Sequence, residues 1–100
     1  NADLAAAAIA GALDATVLVI MTDVAGIYSN WPDKGSLIKE ITFDDLSKIR
    51  NSFSDGMAPK VQACLDAITG GAQAVRIIDG TDSKSFELAL NNLGGTLVTK

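Results

Sequence analysis

Lys60 closes a short cluster of residues, Asp55-Gly56-Met57-Ala58-Pro59-Lys60, whose types and spacing could bind a phosphate group. Gly56 permits the close approach of a ligand, and Pro59 suits the first turn of a helix because no N–H bond is lost there. The free N–H groups of that turn, with the Lys60 ammonium beside them, predict an anion site. The plainer alternative is a solvated lysine, because Lys60 lies off the apolar stripe of the predicted helix.

Two further clusters could take part in chemistry. Thr22-Asp23-Val24-Ala25-Gly26-Ile27-Tyr28 follows an apolar run, and its polar groups, turn and aromatic ring would suit the ribose and base of a nucleotide. The alternative for this segment is a surface loop. Asn1-Ala2-Asp3 precedes an alanine-rich run, where a carboxylate at a helix N-terminus is stabilised by the helix dipole. Taken alone, Asp3 is a helix cap.

The composition argues against several classes of function. The net charge is −4 and no run of Lys or Arg is present, so we expect no nucleic-acid partner. The absence of histidine rules out Ser-His and Cys-His nucleophile pairs within this sequence, and the single Cys64 rules out an intramolecular disulfide or a cysteine-based zinc site. No Walker A loop is present, and the apolar stretch 4–13 is too short to span a bilayer. The single free thiol fits a reducing, cytoplasmic setting, and we expect neither a membrane partner nor a metal site within this sequence.

The hydrophobic pattern alternates between helices and buried strands. Apolar runs without polar alternation are typical of strands covered on both faces, while apolar residues at helical spacing indicate helices. Glycines and capping residues mark the ends of these elements. The pattern predicts helices over 4–13, 42–51, 57–69 and 83–91, buried strands over 17–21, 75–78 and 96–98, and a short edge strand over 37–41.

This alternation predicts the α/β class, as a three-layer α/β/α sandwich around a largely parallel open sheet. In such sheets, ligands bind at the carboxyl ends of the strands. The first buried strand ends at Thr22-Asp23, so this point is the expected place for chemistry.

The order and spacing of these motifs resemble the amino-acid kinase superfamily, and within it the N-acetylglutamate kinases. The resemblance covers essentially all of residues 1–100 but corresponds only to the C-terminal, ATP-binding lobe of such enzymes. The N-terminal substrate lobe is therefore expected to be absent. The matching pieces are Asn1-Ala2-Asp3, the strand with Thr22-Asp23-Val24-x-Gly26, Gly56-Met57-x-Pro59-Lys60-Val61, Ile77-Ile78-Asp79-Gly80 and Gly95-Thr96-Leu97.

The resemblance implies phosphorylation of the side-chain carboxylate of N-acetyl-L-glutamate by ATP, a step of arginine biosynthesis. It implies that Asp3 positions the catalytic lysines, that Lys60 stabilises the transferred phosphoryl group, and that Asn1 lies near the substrate. Mg²⁺ would be carried on the nucleotide, and the full-length enzyme would be a homo-oligomer. The isolated segment is expected to be inactive, because other catalytic residues of the family lie upstream of Asn1. The implied nucleotide-binding residues are Thr22, Asp23, Ala25, Gly26, Ile27, Tyr28, Gly56 and Met57.

Several alternatives remain open. Carbamate kinase shares a Gly-Met-x-Pro-Lys stretch, and aminoadipate-carrier kinases resemble the same family closely. A phosphoacceptor receiver domain is also α/β, but it would need its lysine at a strand end, whereas Lys60 follows Pro59 in a predicted helix. The last alternative is a non-catalytic nucleotide-binding module.

Overall fold

The computed structural model describes the backbone of residues 5–10 and 16–100 and the side chains of residues 17–100. Within these residues the chain forms one five-stranded sheet with the strand order β1-β2-β4-β5-β3. The strands are β1 (Ala5–Ala10), β2 (Thr16–Thr22), β3 (Glu40–Thr42), β4 (Ala74–Asp79) and β5 (Thr96–Thr99), and the helices are α1 (Phe43–Ile49), α2 (Ala58–Thr69) and α3 (Ser83–Leu90). Two short 3₁₀ turns cover Lys34–Ser36 and Arg50–Ser52.

The sheet is mixed. β2 runs parallel to β4, and β3 runs parallel to β5, while β1 with β2 and β4 with β5 are antiparallel pairs. In the central parallel pair, Thr22 lies opposite Asp79, so both strands end at the same edge. The predicted α/β class is confirmed, and the edge where β2 and β4 end is the one that the sequence marks for ligand binding.

Alternate residues of the central strands face two separate apolar cores, because successive side chains of a strand point to opposite faces. On one face, Ile20 of β2 and Val75 and Ile77 of β4 pack with residues of α1 and α2. On the other face, Val19 and Ile78 pack with Ala89 of α3. Helices therefore cover both faces of the sheet, which confirms the three-layer arrangement.

The first element differs from the sequence prediction. The alanine-rich stretch predicted as a helix over 4–13 contains the strand β1, which pairs with β2 from Ala5 opposite Met21 to Ala10 opposite Thr16. Alanine favours a helix only as a local preference, and tertiary pairing overrides such preferences. Here the open edge of β2 offers a row of backbone hydrogen-bonding groups, and β1 satisfies them.

The other helices begin and end where the sequence indicates. Thr42 caps α1, since its side chain accepts a hydrogen bond from the N–H of Asp45 at 3.2 Å. Asp82 caps α3 in the same way through the N–H of Lys84. Helical spacing in the sequence predicts that Phe86, Ala89, Leu90 and Leu93 face inward, and this prediction holds only for Ala89. Phe86 is 38% exposed, and Leu90 and Leu93 are both 56% exposed. The helix is only two turns long and contacts the sheet mainly through Ala89, so its outer apolar residues face solvent.

Within the part of the chain that the structure describes, no helix is long and apolar enough to cross a membrane.

Candidate functional site

The site predicted from the sequence lies at the edge where β2 and β4 end. Thr22, the last residue of β2, is buried, and its carbonyl oxygen accepts a hydrogen bond of 2.7 Å from the N–H of Gly80. Asp79, the last residue of β4, accepts bonds from the N–H and the hydroxyl of Thr81 at 2.8 and 2.6 Å. These bonds fix the backbone on both sides of the edge, so the loop that leaves β2 starts from a defined position.

Lys60 reaches this edge from the first turn of α2. Its ammonium donates a hydrogen bond to the carbonyl oxygen of Gly56 at 3.1 Å and lies 3.6 Å from Asp23 Oδ1. The Lys60 side chain is only 11% exposed, whereas that of Asp23 is 63% exposed. The reading of Lys60 as a solvated surface lysine is therefore wrong, because its side chain extends between α2 and the end of β2.

The Asp23 carboxylate is held by two neighbours. Thr22 Oγ1 donates to Asp23 Oδ1 at 3.2 Å, and the Lys60 ammonium lies beside the same oxygen. The hydrogen bond from Thr22, and then the charge of Lys60, lower the pKa of the Asp23 carboxyl below its ordinary value. Asp23 is thus ionised at neutral pH, and the site contains one cation and one anion.

The first turn of α2 is not the cradle of free N–H groups that the sequence predicts. The N–H groups of Met57 and Ala58 both donate to the carbonyl oxygen of Ser54, at 3.0 and 2.9 Å. The N–H of Lys60 donates to the carbonyl oxygen of Met57, and Pro59 has no N–H. A tight turn before the helix satisfies these donors, so the attraction for an anion at this turn comes from the Lys60 side chain.

The loop after Asp23 packs against β5. A Cβ atom added to Gly26 would lie 2.5 Å from Thr96 Oγ1 and 3.1 Å from the Thr96 nitrogen, so only glycine allows this approach. The Thr96 hydroxyl accepts a hydrogen bond from the N–H of Ile27 at 2.9 Å and donates to the carbonyl oxygen of Ile38. Thr96 is fully buried and supports the loop. The sequence marks Thr96 only as part of the Gly95-Thr96-Leu97 match, and this match does not indicate a contact with the loop after β2.

Burial divides the predicted nucleotide-binding residues into two groups. Thr22, Gly26, Ile27, Tyr28 and Met57 are buried, and the Tyr28 ring packs edge-on against Trp31 with the ring centres 4.9 Å apart. Asp23, Ala25 and Gly56 are exposed. The buried group shapes the loop and the start of α2, while the exposed residues and the Lys60 ammonium present the surface that a ligand would meet. Asn1 and Asp3 lie outside the described residues.

Comparison with known proteins identifies the family. The profile of the amino acid kinase family matches residues 1–79. The chain belongs to the amino acid kinase family.

Curated relatives within this family are acetylglutamate kinases. The chain is 48% identical over 101 residues to acetylglutamate kinase from Salinispora tropica, covering 99% of this chain and 34% of that protein. It is 47% identical over 100 residues to acetylglutamate kinase from Kineococcus radiotolerans, covering 98% of this chain and 33% of that protein. The chain thus spans about a third of the length of these amino acid kinases.

A solved structure has the same fold. N-acetylglutamate synthase from Neisseria gonorrhoeae superposes with a TM-score of 0.69 at 24% identity, over 84% of this chain and 20% of that chain. This likeness supports the α/β fold of the amino acid kinase segment.

The start of α2 is open on the Gly56 side. Gly56 is exposed, and a Cβ added to it would meet no atom within 4 Å, while its carbonyl oxygen accepts the hydrogen bond from the Lys60 ammonium at 3.1 Å. Among residues that the structure describes, no group of three or more His, Cys, Asp or Glu side chains could hold a metal ion.

Proposed function

We propose that this chain is the ATP-binding lobe of an N-acetylglutamate kinase, and that residues 1–100 form this lobe as a unit. The reaction is transfer of the γ-phosphoryl group of ATP to the side-chain carboxylate of N-acetyl-L-glutamate in arginine biosynthesis. The chain would supply the nucleotide side of the site, and the remaining two-thirds of the full-length enzyme would supply the acceptor side.

The observation that carries this proposal is the position of Lys60. A single, largely buried ammonium lies beside Asp23 at the carboxyl end of β2, next to the open space at Gly56. Ligands of open α/β sheets bind at this edge. The membership in the amino acid kinase family and the acetylglutamate kinase relatives support phosphoryl transfer as the chemistry.

The geometry suits phosphoryl transfer, which depends on positioning and charge neutralisation more than on covalent chemistry. The backbone of α2 and the Gly56 carbonyl hold the Lys60 ammonium in place before any ligand arrives. Such a preorganised positive charge stabilises the negative charge that develops on the phosphoryl oxygens, without reorganising during the reaction. MgATP supplies the phosphoryl group and the metal when it is bound. Asp23, Ala25 and Gly56 would line its approach.

Asn1 and Asp3 enter the proposal only through the family resemblance. Asp3 would position the lysines of the full-length site, and Asn1 would lie near the acylated substrate. A homo-oligomeric full-length enzyme in the cytoplasm is part of the same proposal.

The first test asks whether the isolated chain binds nucleotide without turning it over. We expect weak binding of MgATP and MgADP in a calorimetric titration and no release of ADP when N-acetylglutamate is added. The reason is that the chain spans about a third of the curated enzymes. The Lys60→Gln variant is the control, and its nucleotide affinity should fall.

The outcomes separate the possible functions. Turnover by the isolated chain would refute the division of the active site. Absence of nucleotide binding would refute the assignment as a nucleotide lobe. To test the nucleotide side in an intact active site, the segment should replace the matching part of the Salinispora tropica enzyme, and the chimera should retain ATP-dependent phosphorylation of N-acetylglutamate and lose it in the Lys60→Gln variant.

A further inference from the structure

The apolar stripe of α3 is largely uncovered within the part of the chain that the structure describes. Phe86, Ala89, Leu90 and Leu93 have the spacing of one helix face, which normally packs against a neighbour. Ala89 is buried against the sheet, but Phe86 is 38% exposed and Leu90 and Leu93 are each 56% exposed. Three large apolar side chains on one side of a short helix therefore contact the sheet incompletely.

The sheet beside α3 is incompletely covered as well. Val19 and Ile78 form the buried core under α3. Val17 lies two residues before Val19, and Ala74 lies four residues before Ile78, so both face the same side of the sheet. They are register partners in the central pair of strands, and both are only half-buried. The exposed apolar surface thus includes the middle of the sheet.

One short helix cannot cover this face. Five strands spaced about 4.8 Å apart span about 19 Å across the sheet. α3 has 8 residues, so it is about 12 Å long and about 10 Å wide. The opposite face carries α1 and the longer α2. Among the described residues, the α3 side therefore has one helix where the sheet has room for a second.

A cavity joins the end of the α3 stripe to strand β5. Its volume is about 410 Å³, and its apolar wall includes Leu93, Leu97 and Leu37. Lys39 and Glu40, which are both exposed, also line it. An apolar depression with charged side chains at its margin has the composition of a protein interface, in which an apolar centre is surrounded by a polar rim.

We propose that this surface is the docking site for a helix from the part of the full-length chain that lies outside residues 1–100. Its apolar residues are Phe86, Leu90, Leu93, Val17, Ala74 and Leu97. Exposed apolar patches of this kind mark interaction sites. The chain covers 34% and 33% of the acetylglutamate kinases from Salinispora tropica and Kineococcus radiotolerans, so relatives that contain this segment have about twice as much chain again to supply the helix. A second copy is the poorer occupant, because two chains that each carry a net charge of −4 repel one another. The inference takes from the proposed function only the longer chain and uses nothing of the chemistry at Lys60.

Thiol labelling of a full-length enzyme that carries this segment tests whether the surface is covered. We expect Leu90→Cys to react with a maleimide about tenfold more slowly than Glu87→Cys, a control at an exposed position of the same helix. Rates are divided by those of the unfolded enzyme, and peptide mapping separates each site from Cys64. Equal rates for the two variants would show that the stripe faces solvent and would overturn the proposal. Loss of kinase activity in the parent enzyme would contradict the proposed function without affecting this comparison.

A photo-cross-linking experiment identifies the occupant. Phe86 is replaced by p-benzoyl-phenylalanine, which keeps an aromatic ring at this position, and ¹⁵N-labelled and unlabelled enzymes are unfolded and refolded together. We expect cross-links to a peptide outside residues 1–100, with both cross-linked peptides labelled or both unlabelled. Cross-links between labelled and unlabelled peptides would assign the surface to a second copy and overturn the proposal. Cross-links confined to residues 1–100 would show that this segment covers its own stripe, and would overturn it as well.

Discussion

Lys60 is the residue on which the proposed chemistry depends. Its ammonium is fixed by the Gly56 carbonyl and placed at the end of β2 before a ligand binds. If it stabilises the phosphoryl group more strongly in the transition state than in the ground state, its loss affects turnover more than binding. In a full-length acetylglutamate kinase carrying this segment, we expect Lys60→Ala to lower kcat by about 10²–10³ with a smaller rise in KM.

The kinetic measurement needs a fold control, because Lys60 is largely buried rather than solvated. Steady-state rates at saturating ATP should be paired with thermal melts. Lys48→Ala, at an exposed position of α1, is a matched lysine replacement and should leave both kcat and stability close to those of the parent enzyme. A drop in kcat of less than about fivefold for Lys60→Ala would exclude Lys60 from the transition state.

Sequence reasoning placed Lys60 in the right element but described its surroundings incorrectly. Helical periodicity puts Lys60 beside the apolar stripe of α2, and this explains why a solvated side chain was an open alternative. The partners that bury it, Asp23 and the Gly56 carbonyl, become neighbours only when α2 packs against the end of β2. The same limit applies to the first turn of α2, where the bonds to Ser54 depend on a turn geometry that residue types do not specify.

At the scale of elements, the contact between the loop after β2 and strand β5 depends on Gly26. A methyl group there would lie 2.5 Å from Thr96 Oγ1 and 3.0 Å from Leu37 Cδ1, and Thr96 is fully buried and cannot move aside freely. We expect Gly26→Ala to lower the free energy of unfolding by about 1–3 kcal/mol, as overpacking usually does. Urea denaturation monitored by circular dichroism would measure this change.

Gly56→Ala is the matched control for the loop, because it adds the same methyl group where no atom lies within 4 Å. Its effect on the free energy of unfolding should stay within about 0.5 kcal/mol, as is usual for surface substitutions. Equal effects of the two substitutions would show that the close approach of Gly26 to Thr96 does not support the loop.

The elements differ in how well the sequence predicts them. β2, β4 and β5 combine continuous apolar runs with clear breakers, and all three lie within one or two residues of their predicted bounds. β1 could not be predicted in this way, because a run of alanines reads as a helix until a partner strand is known. The outward face of α3 was missed for a related reason, since periodicity shows which residues share a face but not how far the sheet extends beneath them.

For the molecule as a whole, the core between the sheet and α2 links folding to pH through Cys64. This thiol is fully buried, and burial raises its pKa from 9.0 to about 12. The unfolded chain therefore loses the thiol proton near pH 9, while the folded chain keeps it until about pH 12. The stabilisation is complete below pH 9 and is lost as the pH rises through this window, at up to about 1.4 kcal/mol per pH unit.

Cys64→Ala lacks the titrating thiol but keeps every lysine and tyrosine of the wild type. The free energies of unfolding of the wild type and of this variant should therefore differ by a constant amount near neutral pH, and the difference should shrink above about pH 9. Urea denaturation at a series of pH values would reveal this convergence, and curves that stay parallel up to about pH 11 would show that the folded core does not hold the thiol proton.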